Sequence, residues 1–211
     1  MKPYALVATL LFLTACASQP VSMDEPRRVV GTENDVRIDA EVFGEKIASS
    51  QTLAIKYDIT NNRSMPIAVA DMIPATTYDA ETRVVTVSLG SEVPGAELLP
   101  RLVTIAPGEK KSFTVGARMN FPVISAYGVP APNQLRLKLN FLGNTKEFSQ
   151  LLNISEKAVH DKQLADQLFP VWVEQNEVVL TNTLPMRWGA ADPSLMPADM
   201  RGGRRSTGGR P

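Results

Sequence analysis

Cys16, His160 and a scattered set of methionines are the side chains here that could attack a substrate, relay a proton or hold a soft metal. Nucleophilic catalysis needs a base beside the nucleophile and a third group to orient that base. His160 is the only histidine, and its neighbour Asp161 points to a different face of any helix that carries both. It therefore reads as a solvated histidine on a helix surface. No G-x-S-x-G elbow, H-E-x-x-H pair or glycine-rich phosphate loop occurs in the chain. Met23, Met65, Met72, Met119, Met186, Met196 and Met200 could supply soft thioethers for Cu(I), but no histidine or cysteine accompanies them. Core filling explains them better. Most carboxylates fall in turns or on the wet side of alternating segments. The expectation is a protein without a catalytic centre, metal or cofactor.

Cys16, the only cysteine, has another role open to it. It closes the run Leu13-Thr14-Ala15-Cys16, after a charged start at Lys2 and an apolar stretch over residues 4–13. About ten residues are too few for a ~30 Å hydrocarbon core, which takes about 20 in a helix, and match the apolar region of a signal peptide. An ordinary secretory signal with a cysteine beside its cleavage site is the alternative. The four-residue run resembles the lipobox of bacterial lipoproteins, where a peptidase cuts just before a cysteine that already carries diacylglycerol. The resemblance implies removal of residues 1–15 and lipidation of Cys16. One acyl chain holds a protein reversibly and two hold it stably; lipoproteins of this kind carry two or three. In Gram-negative lipoproteins an Asp after the cysteine retains the protein in the inner membrane. Ala17 stands there instead, which implies an outer-membrane anchor facing the periplasm, with the inner membrane as the alternative. The sorting rule has no meaning in a Gram-positive cell.

Charge narrows the partners. The chain has 22 basic and 22 acidic residues; without residues 1–15, which contain only Lys2 among them, 21 and 22 remain, a net of −1. That balance makes no electrostatic case for nucleic acid. Residues 190–211 carry Arg201, Arg204, Arg205 and Arg210 against Asp192 and Asp199, net +2, which leaves −3 on the body. Lipidation would also consume the only thiol, so stability must come from burial without disulfides.

The elements follow from periodicity. Residues 16–34 are polar with two prolines and read as a flexible tether. From there, strict alternation recurs in Val36-Arg37-Ile38-Asp39-Ala40-Glu41-Val42, and in Leu53, Ile55, Tyr57 and Ile59. It returns in Val85, Val87 and Leu89, in Phe113, Val115 and Ala117, and in Leu135, Leu137, Leu139 and Phe141. One buried face and one wet face is the signature of antiparallel sheet. Thr60-Asn61-Asn62-Arg63-Ser64, Asp79-Ala80-Glu81-Thr82 and Ala106-Pro107-Gly108-Glu109 supply turns. About seven short strands at this spacing predict a mainly β domain over residues 35–154, an antiparallel sandwich. An eight-stranded barrel is the competing fold. Residues 56–69 and the step Ile105-Ala106-Pro107-Gly108-Glu109 resemble immunoglobulin-like domains of bacterial envelope proteins, over about 110 residues. The cysteine pair of antibody domains is absent.

Residues 155–188 change pattern. Ser155 is a candidate N-cap for a helix ending before Pro170, with Ala158, Leu164, Ala165 and Leu168 as its apolar stripe. A hairpin follows, turning at Gln175-Asn176. Residues 189–211, rich in Pro, Gly and Arg, are expected to be a disordered basic tail. Two places could bind a partner: Phe121 and Tyr127 in the Pro-rich loop over residues 120–133, and Trp172 and Trp188 around the hairpin. In both, packing against the core is the favoured reading, with the helix and hairpin of residues 155–188 laid on the sandwich. The function expected is a lipid-anchored, non-catalytic structural or interaction module in an envelope assembly, with an envelope protein as partner. A periplasmic carrier of a small or apolar ligand is the alternative.

Overall fold

Alternation builds the framework, and a few buried polar groups lock it. The computed structural model describes residues 27–44, 46–48, 51–90, 98–119, 129–152 and 154–189. In chain order the strands are β1 (Arg27–Glu33), β2 (Val36–Phe43), β3 (Lys46–Ile47), β4 (Thr52–Asn61), β5 (Ile67–Ala70), β6 (Ala75–Asp79), β7 (Val84–Leu89) and β8 (Leu98–Pro100). They continue as β9 (Leu102–Ile105), β10 (Lys110–Arg118), β11 (Gln134–Leu142), β12 (Ala158–His160), β13 (Asn176–Leu180), β14 (Leu184–Pro185) and β15 (Arg187–Trp188). A short helix α1 (Ser149–Leu152) follows β11, and α2 (Lys162–Gln175) lies between β12 and β13.

The protein is mainly β, and its strands divide between separate sheets rather than one closed barrel. One is antiparallel in the order β1-β2-β4-β10; the larger runs β6-β7-β11-β5-β9, with β13 and β14 also paired to β11. Ile38, Val42, Ile55 and Ile59 from the first sheet and Val85, Leu89, Leu137 and Leu139 from the second belong to one buried cluster. These are the inward positions that alternation predicts. Asn61, fully buried at the end of β4, holds the passage between sheets. Its Nδ2 donates to the carbonyls of Met65 (2.9 Å) and Ile105 (3.0 Å), and its Oδ1 accepts from the backbone of Arg63 (3.0 Å).

Several expectations need correction. The expected tether over residues 16–34 ends earlier, because Arg27–Glu33 is a strand paired with β2. Asn34 and Asp35 both take positive φ, 50° and 57°, and close the hairpin. Asn and Asp tolerate that conformation, and two such residues in succession match the twist of flanking strands. The free side of β1 then closes on the segment after β13. The Val30 backbone donates to Asn182 Oδ1 at 2.8 Å and accepts from the Asn182 backbone at 3.0 Å. Gly31 permits this approach, since a Cβ there would lie 2.4 Å from the Leu180 carbonyl oxygen. The all-antiparallel expectation also fails at two pairs: the short β3 and β15 run parallel, and so do β7 and β11, from Gln134↔Val84 to Leu139↔Leu89. The connection between them passes through β8, β9 and β10, ample for a parallel crossover.

The third correction concerns the C-terminal elements. Helix α2 starts at Asp161, whose Oδ1 accepts from the Leu164 backbone at 2.9 Å, and it continues through Pro170 to Gln175. No hairpin turns at Gln175-Asn176; the helix ends there and β13 returns along β11. Proline inside a helix costs about 3 kcal/mol. Burying a tryptophan removes about 150–250 Å² from water, worth roughly 4–6 kcal/mol at about 25 cal/mol per Å². Continuing the helix places Trp172 on the stripe of Ala165 and Leu168, and burial wins. The stripe forms a second core with Leu99, Leu102, Phe148 and Leu151 on the outer side of β5. Strand β5 is buried on both faces: Ile67 and Val69 face the first core, Ala68 and Ala70 the second. Small alanines there let the helical layer sit close.

Candidate functional site

The outward positions of the first sheet bring charges together in rows. Arg28 lies opposite Glu41, and Glu41 opposite Lys56; Asp39 lies opposite Asp58, and Asp58 opposite Ser112. Arg28, Asp39, Glu41, Lys56 and Asp58 line a hollow of about 280 Å³ on the sheet surface. Every carboxylate in it has a donor. Arg28 reaches Glu41 at 2.8 Å, and Arg37 grips both oxygens of Asp39 at 2.8 Å. Lys110 meets Asp58 at 2.7 Å, and Ser112 donates to the same carboxylate at 2.6 Å. The hydrogen bond from Arg37 holds the Asp39 carboxyl below its ordinary range, and those from Lys110 and Ser112 do so for Asp58. Such groups stay ionised at neutral pH and have no proton to give as a general acid. Beneath them Tyr57 stacks on Phe113 at 5.1 Å, and burial pushes its hydroxyl far above the usual tyrosine range. The surface can meet a polar or charged partner by exchange of ion pairs.

Two apolar features lie elsewhere. A hollow of about 360 Å³ separates Met72, Ile73 and Pro74 from Thr114, Val115 and Gly116 of β10, and Ile73 is 82% exposed. On α2, Phe169 and Val173 stand four residues apart, 50% and 51% exposed, off the buried stripe. Residues at this spacing share a helix face, so the pair makes one apolar patch.

The residues singled out from the sequence scatter. Cys16, Phe121 and Tyr127 lie outside the described residues. Trp172 is fully buried and meets Phe148 edge-to-face at 5.4 Å between ring centres, so it is a core residue and not an exposed anchor. Trp188, half-buried on β15, packs against the first core. His160 is exposed at the end of β12, a strand rather than the expected helix. Met119 and Met186 fill the first core as expected, while Met65 is exposed. Among the described residues no group of three His, Cys, Asp or Glu could hold a metal ion, and no helix is long and apolar enough to cross a membrane. No family model, curated protein or solved structure matches the chain. Any functional reading therefore rests on these residues alone. Sequence reasoning missed Ile73, Phe169 and Val173. The signal for the last two exists only once the helix is carried through Pro170.

Proposed function

We propose that this protein is a lipid-anchored, non-catalytic module of the bacterial envelope, an immunoglobulin-like sandwich held to the outer membrane at Cys16 and presenting a binding surface to an envelope protein. The observation that carries this reading is Leu13-Thr14-Ala15-Cys16 at the end of the apolar stretch over residues 4–13. The connectivity supports the domain type: β4 pairs with β10 in one sheet, β11 with β5 and β13 in the other, and the chain changes sheet after Asn61 and after Ile105. Crossings of this kind join the sheets of immunoglobulin-like domains. The filled interior supports an interaction module over a carrier. Ile38, Ile55, Leu89 and Phe141 occupy the space between the sheets that an apolar ligand would need. Phe169 and Val173 offer the partner an apolar anchor, as central interface residues do. Cells grown with labelled fatty acid test the anchor. Wild-type protein takes up label, and Cys16→Ser accumulates as an unlabelled precursor; equal labelling of the two removes the reading.

A further inference from the structure

The two edges of the first sheet end differently. On β1 the backbone of Val30 bonds to Asn182. On β10 the backbone stays open. The register shows which groups are free: the Met119 N–H donates to the Gln51 carbonyl at 2.8 Å, and the Asn61 N–H to the Glu109 carbonyl at 3.0 Å. Bonded pairs in an antiparallel ladder recur at every second residue. Lys111, Phe113, Val115 and Ala117 therefore direct their N–H and C=O groups to β4, and Ser112, Thr114 and Gly116 direct theirs outward. Toward the two ends of this edge, the Arg118 carbonyl accepts from Thr76 Oγ1 (2.8 Å), and Lys111 Nζ donates to the Thr104 carbonyl (3.0 Å). Between them, the outward backbone groups of Ser112, Thr114 and Gly116 meet no partner among the described residues.

An unpaired edge is a template for another strand, and proteins guard such edges with proline, bulges or charge. None of these occurs from Ser112 to Gly116, where the pairing with β4 is unbroken. Phe113 and Val115 turn inward, half-buried against the first core, while Ser112, Thr114 and Gly116 are exposed. Beyond the edge lies the hollow walled by Met72, Ile73 and Pro74. A strand laid along β10 would point alternate side chains inward, over Val115 and toward Ile73, and the others outward beside Thr114. Lys56 lies opposite Thr114, Arg118 ends the strand and Lys157 lines the hollow. None of the three has an ion-pair partner among the described residues. Of the carboxylates nearby, Glu41, Asp58, Asp71 and Glu109 each have a cation; Glu156, next to Lys157 in sequence, does not.

We infer that the β10 edge from Ser112 to Gly116 binds an extended segment of a partner protein as an added strand, with apolar residues at alternate positions and acidic ones between. In strand addition, main-chain hydrogen bonds supply affinity and the pockets for alternate side chains supply specificity. The open backbone groups select an extended chain, because another backbone repeats donors and acceptors at the same spacing. The inward positions favour apolar side chains beside Val115 and Ile73, and the outward ones favour carboxylates beside Lys56 and Arg118. A second copy of β10 fits poorly. Paired about residue 113, 114 or 115, it puts its Lys110 opposite or diagonal to Arg118, and like charges so placed repel. This edge is separate from Phe169 and Val173, and its binding does not depend on the lipid anchor proposed above.

The test uses the full chain with Cys16→Ser and a short capped peptide of alternating glutamate and valine, with hydrogen exchange followed at single amides by NMR. In the free protein the Ser112, Thr114 and Gly116 amides should exchange fast, and those of Phe113 and Val115, bonded to β4, slowly. The peptide should slow the three open amides at least about tenfold. The same peptide N-methylated on the amides that face β10 should give no protection, and lysine in place of glutamate should weaken binding at least about tenfold. Thr114→Pro removes an N–H that β4 does not use; its circular dichroism should be unchanged and its affinity for the peptide about tenfold lower. Ile73→Ser, at an exposed position, should lower affinity several-fold and keeps the test open if the proline variant fails to fold. Open amides already protected in the free protein overturn the inference. So does protection that grows with protein concentration without peptide, which would make the occupant a second copy. So do the absence of protection at the peptide's solubility limit, equal protection by the methylated peptide, and undiminished binding by Ile73→Ser. None of these outcomes touches the fatty-acid labelling result, so failure of this edge and failure of the anchor are separable.

Discussion

The two buried cores of this protein are built by different rules. The first core, shared by the two larger sheets, is assembled from strands whose inward residues alternate with charged ones, as in Ile38-Asp39-Ala40 and Ile55-Lys56-Tyr57. Each side chain's place follows from its parity along the strand. The second core has no such repeat. It joins Ala68 and Ala70 of β5, Leu99 and Leu102 around β8 and β9, Phe148 and Leu151 after β11, and the stripe of α2. Those pieces come from four separate stretches of chain, and only the helix has a period. The contrast shows how one strand can serve two layers: β5 has apolar residues at all four positions, so its neighbours on each side can be covered independently.

The largest effect should come from charging the first core. Ile55→Asp puts an unpaired ion among Ile38, Val42 and Ile59, at a cost of several kcal/mol, comparable with the whole stability of a domain. The variant should be unfolded by circular dichroism, while Lys56→Asp one residue away should melt close to wild type. Similar losses in both would mean that parity does not govern this sheet.

Trp172→Ala should be the next largest, about 3–5 kcal/mol for removing a buried aromatic. Because β5 belongs to both cores, tryptophan fluorescence and the far-ultraviolet β signal should change together in urea, with the variant unfolding at lower denaturant. Two separated transitions in the wild type would show that the helical layer melts by itself, and the coupling through β5 would be wrong.

The smallest effect separates the outer charges from both cores. Asp39 and Asp58 have carboxyls held below their ordinary range by Arg37 and by Lys110 with Ser112. A group depressed in the folded state stabilises it fully above its unfolded value, near 3.9, and loses that contribution as pH falls through the folded value. Melting temperature should therefore hold between pH 7 and 5 and decline below about pH 4. Asp58→Asn should make the decline shallower while leaving the melting temperature at pH 7 little changed, since exposed ion pairs contribute at most about 1 kcal/mol. A steeper acid decline in Asp58→Asn would reverse the sign of the argument.

The candidate surfaces were less legible than the framework. The charged rows of the first sheet are implied by the same alternation that buries Ile38 and Ile55, so Asp39, Glu41, Lys56 and Asp58 could be placed on one wet face from sequence. Their pairing could not, because it depends on the register that puts Asp39 beside Asp58 and Arg28 beside Glu41. The apolar patch of Phe169 and Val173 was hidden by Pro170, which reads locally as a helix end.

By itself, the sequence determined the β-rich character, the inward and outward faces of β2, β4, β7, β10 and β11, and the turns near Asn61, Asp79 and Gly108. Period-two alternation and turn chemistry are local properties, and where apolar residues alternate with charged ones, burying the apolar parity leaves the charged one exposed. Tertiary structure alone decided that β1 begins at Arg27, that β7 and β11 run parallel, and that α2 passes through its proline. In each case a contact far along the chain outweighs the local preference. Asn182 holds the edge of β1, the crossover through the first sheet frees the direction of β11, and burial of Trp172 against Phe148 exceeds what Pro170 costs the helix.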